Sequence, residues 1–302
     1  EGQYMSFVGT TPQKPLELKP TDADIIWRYD MLTELGIFPH NITSSSILVV
    51  GDILYCSTSN GVTYDHTDLP SPKAPALIAL NRKVAEQPGA RPADILVGEE
   101  GSGLSKRIFH GVWTSPCWGD GALLYGGPDG FLYSFEPNPV KDADGFGVLP
   151  EKWRYDCNPT EYRFRDGDPA RPIKYASLGE GPSEIIATPV FYKGRVFAPI
   201  GQDPEHRGGP GNLSCLDAAT GKKVWELRIN RSMSTCSIVD DLLYVGDFTG
   251  WLYCVDANTG KLQWKYDTMS EVWCSTLVAD NKVYLGGLDK RLLLQKHGAK
   301  DR

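Results

Sequence analysis

The sequence predicts an all-β fold built from repeated four-stranded antiparallel sheets, and three observations carry this prediction. Two segments are close copies of each other, NLSCLDAATGKKVW at 212–225 and WLYCVDANTGKLQW at 251–264. A further pattern of two short strands precedes each copy and recurs along the chain. Within the strands apolar and polar residues alternate, and turn residues separate them, as half-buried strands require. Four strands per unit with a period of about 40 residues are typical of a β-propeller.

Each predicted unit has the same elements in the same order. Small residues precede the first strand, an Asp/Gly turn leads to a second strand with Tyr, and a Gly precedes the third strand. A Thr-Gly-Lys turn then leads to a fourth strand that ends in Trp, whose bulk fills the widening outer part of the unit. Five copies of the first part can be aligned, and these residues are equivalent: Ser46, Pro116, Pro189, Ser237 and Thr276.

Residues 1–302 are interpreted as a single propeller domain. The blade cores are predicted at about 44–80, 114–155, 187–228, 235–267 and 274–295, with residues 25–30 as an outer strand. The last core contains only three predicted strands. Two explanations fit this pattern: the outer strand completes the last blade and closes a ring, or the chain is part of a larger ring.

Several segments resemble a known family of repeats. The strand Leu252–Asp256, the turn and strand from Thr259 to Trp264, and their counterparts at 213–225 and 131–135 are similar to the quinoprotein-type repeat. That repeat occurs in pyrroloquinoline-quinone (PQQ) alcohol dehydrogenases and in many propellers that bind no quinone. The resemblance extends from about residue 25 to about residue 295 and is closest to large exported bacterial propellers. It implies a β-propeller and an exported or periplasmic location.

Composition excludes some classes of function. The net charge is −7, and Lys and Arg are scattered, so no basic face for nucleic acid is predicted. No apolar run approaches the roughly 20 residues that a transmembrane helix needs, and no signal peptide is predicted in this chain. The 7 cysteines have no spacing typical of a haem or zinc site.

Register predicts a ligand site where the innermost strands enter the central channel. Residues three, five and six positions before the aligned small residues are expected to line this entrance. They combine imidazole, guanidinium, carboxylate and indole groups, which suit a small polar or planar ligand. The predicted channel-mouth residues are His40, Asn41, His110, Trp113, Glu184, Arg231, Glu271 and Trp273.

Two insertions add candidate residues. The loop at 201–211 gathers groups that serve as acids, bases or metal ligands, namely Asp203, Glu205, His206 and Arg207. The segment from Asp142 through Asp144 to Glu151 resembles part of a calcium loop, but Val140 stands where the first carboxylate is needed. A solvated loop would have the same composition in either case.

Three functions are weighed on this basis. The first is a non-catalytic binding or scaffold propeller that takes a protein, a small polar ligand or a glycan at the channel mouth or the insertion loops. The second, implied by the resemblance, is a quinoprotein dehydrogenase dependent on PQQ and calcium, with Trp113 or Trp273 against the quinone, Glu184 or Glu271 near the ion, and Arg231 on the quinone carboxylates. The third is a carbohydrate-active hydrolase or lyase. No cofactor follows from the residues alone.

Overall fold

The computed structural model describes most of the 302-residue chain, and all structural statements concern the described part. The described residues are 7–8, 11–12, 19, 29–40, 45–85, 97–98, 107–141, 147–175, 180–206 and 208–298.

Five sheets follow one another along the chain, and we number them blades 1 to 5. Blades 2, 3 and 4 each contain four antiparallel strands that pair in sequence order. The strands of blade 2 are Cys117–Gly119, Ala122–Gly126, Phe131–Phe135 and Glu151–Asp156. Those of blade 3 are Val190–Tyr192, Arg195–Pro199, Pro210–Asp217 and Lys223–Asn230. Those of blade 4 are Ser237–Val239, Leu242–Gly246, Trp251–Asp256 and Leu262–Asp267.

Blades 1 and 5 depart from this pattern. Blade 1 contains Leu48–Val50, Ile53–Ser57, Leu77–Asn81 and Val97–Gly98, and the short strands Gly147–Val148 and Val140–Lys141 extend it at the outer edge. Blade 5 has the three strands Leu277–Ala279, Lys282–Gly286 and Leu292–Lys296. The predicted all-β fold of four-stranded antiparallel blades is confirmed.

The remaining elements are short. A hairpin pairs Phe7–Val8 with Thr11–Pro12. The helices are Met31–Leu35, Arg82–Ala85 and Thr160–Arg163, and the 3-10 turns are Arg165–Gly167 and Pro204–His206. No helix among the described residues is long and apolar enough to cross a membrane.

The predicted outer strand at 25–30 lies mostly outside the described residues, which begin again at Tyr29. The Asp30 carboxylate accepts hydrogen bonds from the backbone N–H groups of Leu32 and Thr33, so it caps helix Met31–Leu35. Tyr29 and two residues of this helix pack against Ile78 and Leu80 of blade 1.

The first strands of neighbouring blades lie close to one another. First strands of blades 1 and 2, 2 and 3, and 4 and 5 contact each other. The small residues that the repeat aligns make bonds between blades: Ser237 Oγ donates to the Thr276 carbonyl at 2.6 Å. These short polar side chains let the first strands of neighbouring blades approach closely.

The core lies between blades. One buried cluster joins Tyr55 and Leu77 of blade 1 to Leu123 and Tyr133 of blade 2, and similar clusters lie between each later pair. A single blade therefore buries its apolar faces only against its neighbours, as a repeat fold requires.

The repeated Trp and Gly form a contact between successive blades. Trp225 Nε1 donates to the Ala257 carbonyl at 3.0 Å. Ala257 lies in the turn that follows Asp256 in the next blade. Gly260 in that turn has a φ of +73°, and a Cβ there would lie 2.6 Å from the Trp225 ring. Trp153 makes the same bond at 3.0 Å to the Ala218 carbonyl. The repeated residues thus fix the spacing of the blades near the outer edge.

Candidate metal centre

Four of the five histidines of the chain meet at one end of the blades. His40 directly follows the bridge between Pro39 and Asn60, and His110 precedes the bridge between Gly61 and Gly111. The other two come from loops: His66 from the turn after blade 1's second strand, and His206 from the end of the turn Pro204–His206. Chain segments that are far apart in sequence thus bring imidazoles together.

Three of these imidazoles have the spacing of a metal site. One ring nitrogen each from His40, His66 and His110 lies within 4.8 Å of the others. The Nε2 atoms of His66 and His110 are 3.0 Å apart. Ligand nitrogens at ~2.0–2.1 Å from a tetrahedral zinc ion are separated by about 3.3 Å, so the observed spacing is close to that of a bound set.

Backbone contacts hold His40 in position. His40 Nδ1 lies 2.8 Å from the Val62 carbonyl, a contact that requires the proton on Nδ1 and leaves the Nε2 lone pair available. The His40 N–H also donates to the Ser59 carbonyl at 3.0 Å. Carbonyl-bound imidazoles of this kind are the usual arrangement of metal-ligating histidines.

A glycine allows this approach. A Cβ on Gly61 would lie 2.5 Å from both the His110 carbonyl oxygen and His40 Cβ, so only glycine fits between the two histidines. The adjacent Val62 N–H donates to the His110 carbonyl at 2.8 Å. The loop after blade 1's second strand is therefore tied to the segment before blade 2.

A compact turn carries His66, the most exposed of the three histidines. His66 has a φ of +58°, and its N–H donates to the Thr63 carbonyl at 2.8 Å. The Asp65 carboxylate accepts a bond from Thr67 Oγ1 at 2.9 Å and closes the turn. The turn is thus ordered by its own hydrogen bonds and not only by the contact between His66 and His110.

Burial keeps the central imidazole neutral. His40 and His110 are each only 1% exposed. Burial lowers the pKa of His110 to about 2, and the neighbouring His40, His66 and His206 lower it further. Neutral imidazole is the form that binds a metal, so this environment maintains a ligand rather than a cation. His110 Nδ1 has no hydrogen-bond partner among the described residues.

Aromatic residues enclose the cluster. The Trp113 ring centroid is 5.0 Å from that of His110, and Trp113 Nε1 donates to the His40 carbonyl at 3.3 Å. Tyr175 stacks on His110 at 5.8 Å, and its hydroxyl donates to Glu184 Oε1 at 2.6 Å. Burial raises the pKa of Glu184 well above its ordinary value.

The predicted channel-mouth residues fall into two groups. His40, His110 and Trp113 meet directly, and Glu184 reaches them through Tyr175. Arg231, only 1% exposed, donates to the His206 carbonyl at 3.2 Å and so contacts the loop that carries this histidine. Asn41 lies outside the described residues.

Two predicted channel-mouth residues line a separate surface pocket. Glu271 and Trp273 border it together with Pro204, Gly208, Phe248 and Thr249. Trp273 is 48% exposed there, and its ring is 6.4 Å from that of Phe248. Within the described part of the chain, Trp273 makes no ring contact with any of the four histidines.

The candidate residues of the two insertions lie in different parts of the structure, and some lie outside the described residues. Asp203 accepts a bond from the Glu205 N–H at 2.8 Å and shapes the turn before His206. Arg207, Asp142 and Asp144 lie outside the described residues. Glu151 begins a strand of blade 2, where its carboxylate is 3.8 Å from Arg154.

Sequence reasoning did not identify His66 and Tyr175. Both lie in insertions that do not belong to the repeat, so the alignment of copies gives them no position. The one available signal is composition: His66 is one of only five histidines and stands in a loop rich in Thr, Asp and Pro.

Comparison with known proteins supports the repeat. Residues 209–296 match the family model PQQ_2, described as outer membrane protein assembly factor BamB. The predicted family resemblance is confirmed there. Residues 209–296 carry the quinoprotein-type repeat. A search of curated proteins found no match to the chain.

Solved structures share the architecture of this propeller. The quinohemoprotein alcohol dehydrogenase from Comamonas testosteroni is 14% identical, with a TM-score of 0.56 over 87% of this chain and 42% of that one. The quinohemoprotein alcohol dehydrogenase ADHIIG from Pseudomonas putida HK5 is 13% identical, with a TM-score of 0.55 over 86% of this chain and 41% of that one. The chain spans less than half the length of either enzyme. At these identities the likeness establishes the β-propeller fold alone.

Proposed function

We propose that this propeller is a non-catalytic binding protein that holds one late first-row transition-metal ion at its channel mouth. The observation that carries the proposal is the cluster of ring nitrogens from His40, His66 and His110 within 4.8 Å of one another. Two of these residues are buried, and a carbonyl orients His40. Most of the conformational entropy lost in fixing these side chains is therefore lost when the protein folds, before the metal binds.

The donor set determines the class of metal. Imidazole nitrogens suit zinc, copper, nickel and iron, whereas calcium and magnesium prefer oxygen ligands. Zn(II) is therefore the first probe, and calcium is the negative control. Each ligand must be neutral to bind, and the lowered pKa of His110 meets that requirement.

The experiment is an isothermal calorimetric titration with Zn(II). The protein is first treated with chelator and dialysed to remove bound metal. We expect saturable binding of one ion per chain in the wild type and severe loss in His66→Ala. His66 is the preferred variant because it is the most exposed of the three, so its removal leaves the core intact. His297→Ala is the matched control, since His297 contacts Tyr244 and Asp240 in another part of the fold. No saturable binding by the wild type would overturn the proposal.

A quinoprotein dehydrogenase dependent on PQQ and calcium is the second candidate. It is favoured by the similar fold of two quinohemoprotein alcohol dehydrogenases and by the Trp113 ring beside the imidazoles. Titration with PQQ, with and without calcium, distinguishes the two. Calcium-dependent quenching that disappears in Trp113→Phe would favour the dehydrogenase, and zinc binding without quinone binding favours the metal-binding propeller.

The proposed location rests on the family resemblance, and the proposed partner surfaces rest on the loops and a surface pocket. We propose that the protein acts outside the cytoplasm, as its resemblance to exported propellers implies. The insertion loops and the pocket at Glu271 and Trp273 are the surfaces proposed for a protein or glycan partner. Fractionation of cells that produce the full-length protein tests the location directly.

A further inference from the structure

His206 approaches the three-histidine cluster from a different blade. Its ring centroid is 5.4 Å from that of His110 and 5.7 Å from that of His66. The separations within the cluster are 4.2 Å for His40 and His110 and 4.4 Å for His66 and His110. Rings that share a tetrahedral ion at ~2.0–2.1 Å per nitrogen have centroids about 5 Å apart, so the His206 ring has close to this spacing from His66 and His110.

One nitrogen of His206 is left without a protein partner. His206 Nδ1 is buried and makes no hydrogen bond to any described residue. A buried polar atom without a partner costs about 1–3 kcal/mol unless something else satisfies it. A metal ion coordinated by His206 at the same site is such a partner.

The loop that carries His206 is fixed at several points. The His206 N–H donates to the Asp203 carbonyl at 2.9 Å. Its carbonyl accepts a bond from Arg231 Nη1 at 3.2 Å, and Arg231 Nη2 donates to the Glu180 carbonyl at 2.8 Å. The Tyr175 ring packs edge-on against His206 at 5.1 Å. The imidazole is therefore held beside the cluster before any metal binds.

We infer that His206 is the fourth ligand of the metal centre, so that four imidazoles complete a closed, four-coordinate site. This inference rests on the proposed function. A site with four protein ligands has no open position for a substrate, which is the pattern of structural rather than catalytic zinc. The ion then connects the loop of blade 1, the segment before blade 2 and the loop of blade 3 in one coordination sphere.

Cobalt spectroscopy of the full chain tests this inference. Co(II) replaces zinc in nitrogen sites, and its visible absorption is intense when four-coordinate and weak when solvent raises the coordination number. We expect an intense visible spectrum for the wild type. In His206→Ala we expect Co(II) still to bind, with visible bands shifted because water replaces one imidazole, and with an affinity lower by at least the roughly 10–100-fold that loss of an outer-shell partner costs. His297→Ala should retain the wild-type spectrum.

The outcomes separate the two claims. Identical Co(II) band positions and an identical Co(II) affinity in His206→Ala and the wild type would overturn the fourth ligand and leave the three-histidine site intact. Failure of the wild type to bind either Co(II) or Zn(II) would overturn the proposed function itself. X-ray absorption of the wild-type zinc complex gives a second measurement that needs no variant. A zinc ion coordinated by four imidazoles would support the inference. A zinc ion coordinated by three imidazoles and an oxygen would contradict it.

Discussion

The Nε2 atoms of His66 and His110 lie 3.0 Å apart, although 44 positions separate the two residues in the chain. A hydrogen bond between neutral imidazoles explains this single distance. It does not explain why His40 lies 4.2 Å from His110 between ring centroids, or why the imidazole of His206 adjoins the same group. The proposed metal ion would bring these imidazoles together.

Zinc should stabilise the folded protein. A ligand that binds only the native state adds about 2.7 kcal/mol to the free energy of unfolding when its free concentration is 100 times Kd. We therefore expect thermal melts of the wild type to shift upward by several degrees with Zn(II) and to return with chelator. His66→Ala should show a much smaller shift, and His297→Ala should behave like the wild type. Equal shifts in all three proteins would mean that zinc binds elsewhere.

Gly260 should be more sensitive to substitution than a glycine of similar backbone conformation. Gly260 and Gly194 have φ of +73° and +76°, so an alanine is strained at both. Only at Gly260 would the new Cβ meet the Trp225 ring, at 2.6 Å, whereas Gly194 has open space. We expect Gly260→Ala to lower the free energy of unfolding by roughly 1–3 kcal/mol more than Gly194→Ala. Urea denaturation measures both, and equal losses would contradict the role of the Trp225 contact.

Much of the fold was predictable from the repeat, and much of the site was not. The copied Thr-Gly-Lys turns and terminal tryptophans predicted the blades because every copy repeats the same contact, as Trp225 and Gly260 illustrate. Register also grouped His40 with His110, since both precede a first strand. It placed Trp273 in the same group, although the structure has Trp273 at another pocket.

The insertions explain this difference. His66 and Tyr175 belong to loops that occur once, and a repeat alignment assigns no position to such residues. His206 was a candidate because of the composition of its loop, but nothing in the sequence related that loop to His110. The contact depends on how the Arg231 guanidinium holds the His206 carbonyl, which is a property of the folded chain.

Glu184 should contribute stability that is lost as pH rises, opposite in sign to the contribution of His110, whose lowered pKa favours the folded state at higher pH. Burial raises the folded-state pKa of Glu184 above the ordinary 4.5, so the folded protein keeps a proton that the unfolded chain releases. Stability from this group is complete below the unfolded pKa and decreases as pH rises through the folded value. Glu184→Gln, which can still accept the Tyr175 hydroxyl bond, should lack this decrease between pH ~5 and 8. Urea unfolding across this range compares the two, and parallel pH profiles would contradict the assignment.

Arg231 should affect metal binding without touching the ion. It is a positioning residue, because its guanidinium donates to the carbonyls of His206 and Glu180. We expect Arg231→Met to weaken zinc affinity by about 10- to 100-fold, as loss of an outer-shell partner typically does. Arg228→Met is the matched control, since the Arg228 side chain is 45% exposed and pairs with Glu161. Calorimetric titration compares the variants, and equal affinities would show that the His206 loop does not depend on Arg231.

The most direct test of the metal centre is the stoichiometry of zinc in the purified, full-length protein, measured by calorimetric titration after removal of metal. The account predicts one saturable site per chain that is strongly weakened in His66→Ala and unaffected by calcium. An absence of saturable binding, or identical binding by the wild type and His66→Ala, would contradict it.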